Sequence, residues 1–175
     1  MNKKHPAYKY AMDVAEGKVN APKYVKLQVK EFLTIANGKD SRYMIDDNKV
    51  HTIGELLKLM VMPKGLKANS TVYDAMAGFQ WLFIIAILCT VERDNKDKRR
   101  YENAILEICR KNGKTFLIAV LFILLFFIEP KFSKFYSVAP DGSLSREIKT
   151  AIEEIIRSSP ALLGKMNGKE KFKIL

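Results

Sequence analysis

The sequence predicts an α/β chain: an incomplete parallel sheet with flanking helices, preceded by a mostly helical amino-terminal region over residues 1–66. Three observations predict it. Apolar residues recur at helical spacing, with Gly and Pro breaks, up to Gly65. From residue 104 onward short apolar runs alternate with helical ones, the order that builds a parallel sheet with right-handed crossovers. A tight polar loop over residues 110–114 joins one such run to the next.

The elements follow in order. Pro6 to Glu16 reads as a short amphipathic helix with Ala7, Tyr10, Ala11 and Val14 on one side, ended by Gly17. Asn20 can cap a second helix, with Pro22 near its first turn. Tyr24, Leu27, Val29, Phe32, Leu33 and Ile35 give it an apolar spacing until Asn37-Gly38 stops it. Ser41 to Ile45 is ambiguous. Asp46-Asp47-Asn48 is a turn or cap, and Val50 to Met62 a third helix stopped by Pro63 and Gly65. Residues 66–78 are looser and polar. A dense apolar segment runs to Val91, then a charged connector of nine residues, Glu92 to Arg100, eight of them charged, reads as a solvated hairpin or loop.

Beyond the connector, Ala104 to Cys109 is expected to be a short buried strand, and Thr115 to Ile128 a buried helix. Ser133 to Ala139 reads as a second strand and Pro140-Asp141-Gly142 as a turn. A helix follows, capped by Ser143 or Ser145 and running to about Ser158, with Ile148, Ala151, Ile152, Ile155 and Ile156 on one face. Phe172 to Leu175 could begin a third strand. This division places the first part of a second domain at residues 67–175.

With 175 residues, 48% of them hydrophobic, the chain can bury a core, and wholesale disorder is excluded. A net charge of +11 favours contact with nucleic acid, nucleotide or anionic lipid. Cys89 and Cys109 are the two cysteines, too few for a disulfide scaffold, and His5 and His51 stand in no ligand-like spacing with them. The polar first twenty residues, with Lys3, Lys4, His5 and Lys9, lack the apolar core of a secretory signal. The apolar runs Trp81 to Val91 and Phe116 to Ile128 span 11 and 13 residues, short of a membrane helix, and read as buried core.

The segment Ile105-Leu106-Glu107-Ile108-Cys109-Arg110-Lys111-Asn112-Gly113-Lys114-Thr115-Phe116 carries the chemistry. Its Gly-Lys-Thr matches the end of a Walker A phosphate loop. Gly113 lets the backbone approach a phosphate closely, and the amide groups that open the following helix point at the anion. Lys114 would reach β- and γ-phosphate oxygens and the Thr115 hydroxyl would ligate Mg²⁺. The motif also wants a Gly where this sequence has Ile108. A basic surface turn is the competing reading.

The whole block Arg110-Lys111-Asn112-Gly113-Lys114-Thr115 resembles the deviant Walker A of the large terminase subunit of tailed phages, where the first glycine is often replaced and basic residues crowd the loop. Phe79-Gln80 looks like that family's adenine-recognition element. Arg99-Arg100-Tyr101, Ser137-Val138-Ala139-Pro140 and Ser158-Ser159-Pro160-Ala161-Leu162 resemble later landmarks in the right order. Tyr8 to Val29, with Gly17-Lys18-Val19, resembles the family's amino-terminal helical region.

The resemblance covers residues 5–175 and implies a P-loop NTPase fold and an ATP- and Mg²⁺-dependent motor that threads double-stranded viral DNA into a capsid. Such a motor works in the host bacterial cytoplasm, as a homo-oligomeric ring on the capsid portal, with a small terminase subunit bringing the DNA and no membrane involved. It implies that Lys114 and Thr115 hold phosphate and metal, Gly113 and Asn112 shape the cradle, Arg110 and Lys111 add positive charge near the γ-phosphate, and Gln80 reads adenine.

The acidic pair that a P-loop ATPase carries at the end of a later strand is missing. After Thr115 the acids are Glu129, Asp141, Glu147, Glu153, Glu154 and Glu170, and the adjacent Glu153-Glu154 fall in mid-helix. The expectation is therefore an incomplete terminase without its nuclease domain, which binds ATP weakly and hydrolyses it hardly at all. The alternatives are a basic nucleic-acid-binding protein without ATPase activity, another P-loop NTPase such as a helicase, and a membrane-associated protein using residues 116–128.

Overall fold

The computed structural model of the protein describes residues 1–166; the strand expected to begin at Phe172 lies outside them. Helices dominate: α1 (Pro6–Ala15), α2 (Lys23–Ala36), α3 (Asp47–Leu59), α4 (Val72–Ala75), α5 (Gly78–Cys89), α6 (Lys114–Ile128), α7 (Gly142–Ser158) and α8 (Pro160–Met166). The strands β1 (Tyr43–Ile45) and β2 (Thr90–Glu92) form the one sheet among the described residues, an antiparallel pair with Met44 opposite Val91. The chain divides into two compact units, one of residues 1–52 and 76–106, the other of residues 53–75 and 107 onward.

In the first unit α1 packs on α5 and on α2. His5 caps α1, its Nδ1 accepting the Ala7 amide at 3.2 Å, and Pro6 opens the helix where no amide donor is needed. Ala7, Tyr8, Ala11 and Val14 give α1 its buried face. The helix ends at Gly17, which takes the left-handed φ of 76°. On α2 the buried face is Val29, Phe32 and Ile35, while Tyr24 and Leu27 of the expected apolar stripe are exposed. Pro22, not Asn20, stands at its N-cap. The Tyr8 hydroxyl donates to Asn37 Oδ1 at 2.9 Å and ties α1 to the end of α2.

Helix α5 is apolar on nearly every side, and a helix of that kind is stable only when surrounded. Trp81, Ile84, Ile85, Leu88 and Cys89 are all buried. Burial, with the Asp46 carboxylate nearby, pushes the Cys89 thiol far above its ordinary range, so it is a core side chain. The chain leaves α5 directly into β2. The connector after it is the expected hairpin: the Glu92 amide donates to Lys98 O, and Val91 bridges Arg99. Asp46 caps α3 through its Oδ1, which accepts the Asn48 and Lys49 amides at 2.9 and 3.3 Å.

In the second unit α6 packs on α7, and α7 on α8. Leu117, Ala119, Val120, Ile123 and Leu124 of α6 are buried, as are Ile152 and Ile155 of α7 and Leu162 of α8. Ser159 is fully buried at the joint between α7 and α8. Its Oγ accepts the Val61 amide at 2.8 Å and donates to Ile155 O at 2.6 Å. Glu153 and Glu154 form ion pairs with Arg157 and Lys64, at 3.7 and 2.8 Å, as a solvent-facing pair would.

The parallel sheet is a misreading that the structure corrects. Ala104 to Cys109 and Ser133 to Ala139, expected as its strands, run without ladder partners. In the first of them Leu106 and Ile108 are half-buried while Ile105 is 92% exposed. That is a period-two pattern without a neighbour to complete it. An apolar run fixes which side chains seek cover, but a strand also needs a second backbone at ladder distance. The second apolar run is the helix α6, as expected, and the first, after Trp81, is also helical. Among the described residues no helix is long and apolar enough to cross a membrane.

Candidate functional site

The phosphate-loop residues lie on an exposed turn that opens α6. Residues 103–109 approach without regular secondary structure, and the chain then turns through residues 110–113. Lys111 sits at φ 67° and Gly113 at φ 75°. Glycine takes that left-handed conformation without a Cβ penalty, whereas a lysine there is uncommon. Gly113 is the N-cap, and no side chain caps the helix behind it. The first-turn amides of α6 thus have no side-chain acceptor, and with the dipole of a 15-residue helix they favour an anion.

Six of the named residues, Gly113 among them, come together here by chain continuity. Arg110, Lys111, Asn112 and Lys114 are exposed, and Thr115 is half-buried at the second helical position. Lys114 Nζ donates to Ile108 O at 2.9 Å, and Asn112 Nδ2 to Cys109 O at 3.4 Å. Both side chains fold back on the incoming arm of the turn. Between Ile108 and Phe116 there is no acidic residue; the nearest in sequence is the exposed Glu107.

These residues fit a phosphate group better than they fit a metal. The glycine cradle, the helix start and the lysines supply donors and positive charge. For Mg²⁺ the turn offers one hydroxyl, Thr115, and this hard cation ordinarily takes carboxylate and phosphate oxygens as well as water. Among the described residues no group of three or more His, Cys, Asp or Glu side chains gathers as a metal site.

Gln80 belongs to the first unit and has a structural task there. It is buried, and its Oε1 accepts the Ala77 amide at 2.9 Å, capping α5 from its third position. Arg100, part of the Arg99-Arg100-Tyr101 landmark, is half-buried and has structural partners in the first unit. Its guanidinium lies 4.3 Å from the Tyr43 ring centroid and 5.2 Å from that of Tyr101, and it pairs with Glu31. Tyr101 in turn accepts from Gln28 Nε2 at 2.9 Å.

Sequence reasoning overlooked one surface. Lys23, Lys26 and Lys30 share the outer side of α2 with Leu27, and all four are exposed; Tyr24, also exposed, stands roughly a third of a turn further round the helix. The signal was present in the spacing of three and then four between the lysines. It was masked because Tyr24 and Leu27 fit the apolar helical period equally well.

No protein-family model, curated protein or solved structure matches the chain.

Proposed function

We propose that the chain supplies the nucleotide-holding front part of a viral DNA-packaging motor, as its resemblance to the large terminase subunit implies. The carrying observation is the turn over residues 110–113. Two residues at positive φ deliver the uncapped start of α6, with Lys114 and Thr115 at its first two positions. A triphosphate end laid against that start would meet backbone amides, the helix dipole and three cationic side chains. Lys114 would exchange its bond to Ile108 O for phosphate oxygens. When bound, ATP brings the phosphoryl group and its Mg²⁺; this chain's own part is to bind and orient the phosphates.

The reading does not rest on a sheet, since residues 103–109 reach the turn without a ladder partner. It also assigns Gln80 no contact with adenine, because that amide oxygen already caps α5. Double-stranded viral DNA, the portal and the small terminase subunit remain the partners this reading implies.

The test is binding of a fluorescent ATP analogue with and without Mg²⁺. Saturable binding that Lys114→Ala reduces at least tenfold is expected, with turnover close to background. Failure to bind nucleotide at millimolar concentration, or binding indifferent to Lys114→Ala, would refute the proposal.

A further inference from the structure

We propose that the end of α6 and the turn after it, residues 126–138, dock on an anionic lipid surface, with Phe132 entering the acyl boundary and Lys131 and Lys134 on the headgroup phosphates. The turn holds Phe132 outward. Pro130 O accepts both the Ser133 amide at 3.2 Å and the Ser133 hydroxyl at 2.8 Å. Lys131 and Phe132 are the two residues between, at the tip, and both are exposed. Phe132 sits at φ 73°, a conformation natural to glycine and costly to a bulky residue, and it is 97% exposed. The chain beyond the turn is fastened to α6, where Phe135 meets Phe122 with ring centroids 6.4 Å apart. Beside that contact stand Phe126, one helical turn along α6, and Tyr136, the next residue, 51% and 77% exposed. Val138, two residues further on, is 94% exposed. No acidic residue occurs between Glu129 and Asp141, whereas Lys131 and Lys134 are exposed among the apolar groups.

The lysines match any anion, and the apolar groups decide which one. A second copy of the chain would bring lysine against lysine. Single-stranded nucleic acid could stack a base on Phe132 or Tyr136 but would leave Val138 in water. A protein partner would need a cavity shaped for each protruding side chain, whereas a bilayer is fluid and closes around them. Its boundary takes aromatic rings at headgroup depth, with the Tyr136 hydroxyl toward water, and its anionic headgroups take the lysines. Among the described residues no helix is long and apolar enough to cross a membrane, so the contact is with one face of the bilayer. The terminase resemblance involves no membrane; this contact goes beyond the packaging reading and uses none of residues 110–115.

The experiment is sedimentation of the whole chain with vesicles of mixed phosphatidylcholine and phosphatidylserine at about 0.15 M salt. Binding is expected there, and much weaker binding to phosphatidylcholine alone. Phe132→Gly should weaken it about tenfold or more at unchanged charge. Glycine takes φ 73° without a Cβ penalty, so this variant keeps the turn, and an unchanged circular dichroism spectrum checks that. Lys131→Ala and Lys134→Ala should each weaken binding about fivefold. Phe132→Trp should bind at least as well as wild type, its emission moving to the blue on vesicles against the constant background of buried Trp81. Lys114→Ala should leave the Phe132-dependent part unchanged, which separates this outcome from that of nucleotide binding. The proposal is overturned if the anionic vesicles do not bind, if Phe132→Gly binds as wild type, or if Phe132→Trp shows no shift. It is equally overturned if phosphatidylcholine vesicles bind as tightly, or if an oligothymidylate binds as tightly and loses affinity with Phe132→Gly.

Discussion

Lowering the pH below 6.5 should loosen the first unit through one side chain, His5. Its imidazole is more than half buried, and its pKa is lowered from 6.5 to about 4 by desolvation. One contact reinforces the neutral form: Nδ1 accepts the Ala7 amide, which an imidazolium cannot do. The ring also stands edge-on to Trp81 with centroids 5.0 Å apart, which links His5 to the core of the unit. A cation at this position would also oppose the positive end of the α1 dipole.

Between pH 6.5 and 4 the unfolded chain holds a proton on His5 that the folded chain refuses. The unfolded state then binds more protons, so stability falls as the pH falls. It is fully present above the unfolded value and fades through the window down to the folded one. A shift of this size is worth at most roughly 3 kcal/mol, and partial solvent access to the ring reduces that to about 1–2 kcal/mol.

Urea unfolding followed by Trp81 emission reads this unit directly, since Trp81 is the chain's single tryptophan and is buried at the contact. His5→Asn keeps a capping side chain without a titrating group. The wild type should lose about 1–2 kcal/mol between pH 7 and 4, and His5→Asn should hold level to about pH 5. Asp40 and Glu92 are held below their ordinary carboxylate values, Asp40 chiefly by the Tyr43 amide and Glu92 by Arg42. Their contributions therefore fade only at the acid end, equally in both proteins. Parallel losses in wild type and His5→Asn, or no loss in the wild type, would refute the argument.

Other substitutions probe the packing. In Gly78→Ala the new Cβ would lie 2.7 Å from Tyr10 Cβ, and neither atom can swing away from its backbone. Overpacking of about 1–3 kcal/mol should outweigh the helix preference of alanine and lower the melting temperature; a more stable variant would count against the α1–α5 contact. Ser159→Ala strips the Val61 amide of its acceptor at the α7–α8 joint. It should cost about 1–3 kcal/mol and speed amide exchange at Val61, and unchanged exchange would remove Ser159 from that role. Arg100→Lys keeps charge but loses the flat guanidinium against Tyr43 and Tyr101. A loss of about 1 kcal/mol is expected, with Glu31→Gln adding less than its separate effect in a double-mutant cycle.

What the sequence disclosed about this fold divides along a physical line. Helices α1, α2, α6 and α7 were legible because their signals are local. Gly17 and Asn37-Gly38 stop them where the chain turns, and Ile152 and Ile155 mark the side that α7 buries. The turn at residues 110–113 was legible for the same reason, since Gly113 is the residue that tolerates a left-handed start to a helix. The sheet was not. Whether Ala104 to Cys109 becomes a strand depends on a partner backbone elsewhere in the chain, and no residue within the segment encodes one. β1 and β2 illustrate the converse. Each has three residues, too short for a periodic signature, and they pair across a separation that no local pattern announces.

The same line separates the two halves of the candidate chemistry. Lys114 and Thr115 follow Gly113 directly, so their spacing alone sets them at the opening of α6. Gln80 needed more than spacing. Its place beside an aromatic in an apolar segment fits a base-reading glutamine and a helix-capping one equally. The Ala77 amide, three residues back, decides how its oxygen is used. Tyr24 and Leu27 turn the lesson around. They satisfy the helical period of Val29 and Phe32, yet nothing covers them among the described residues. Period assigns a residue to a face of a helix; only the neighbouring element decides whether that face is core.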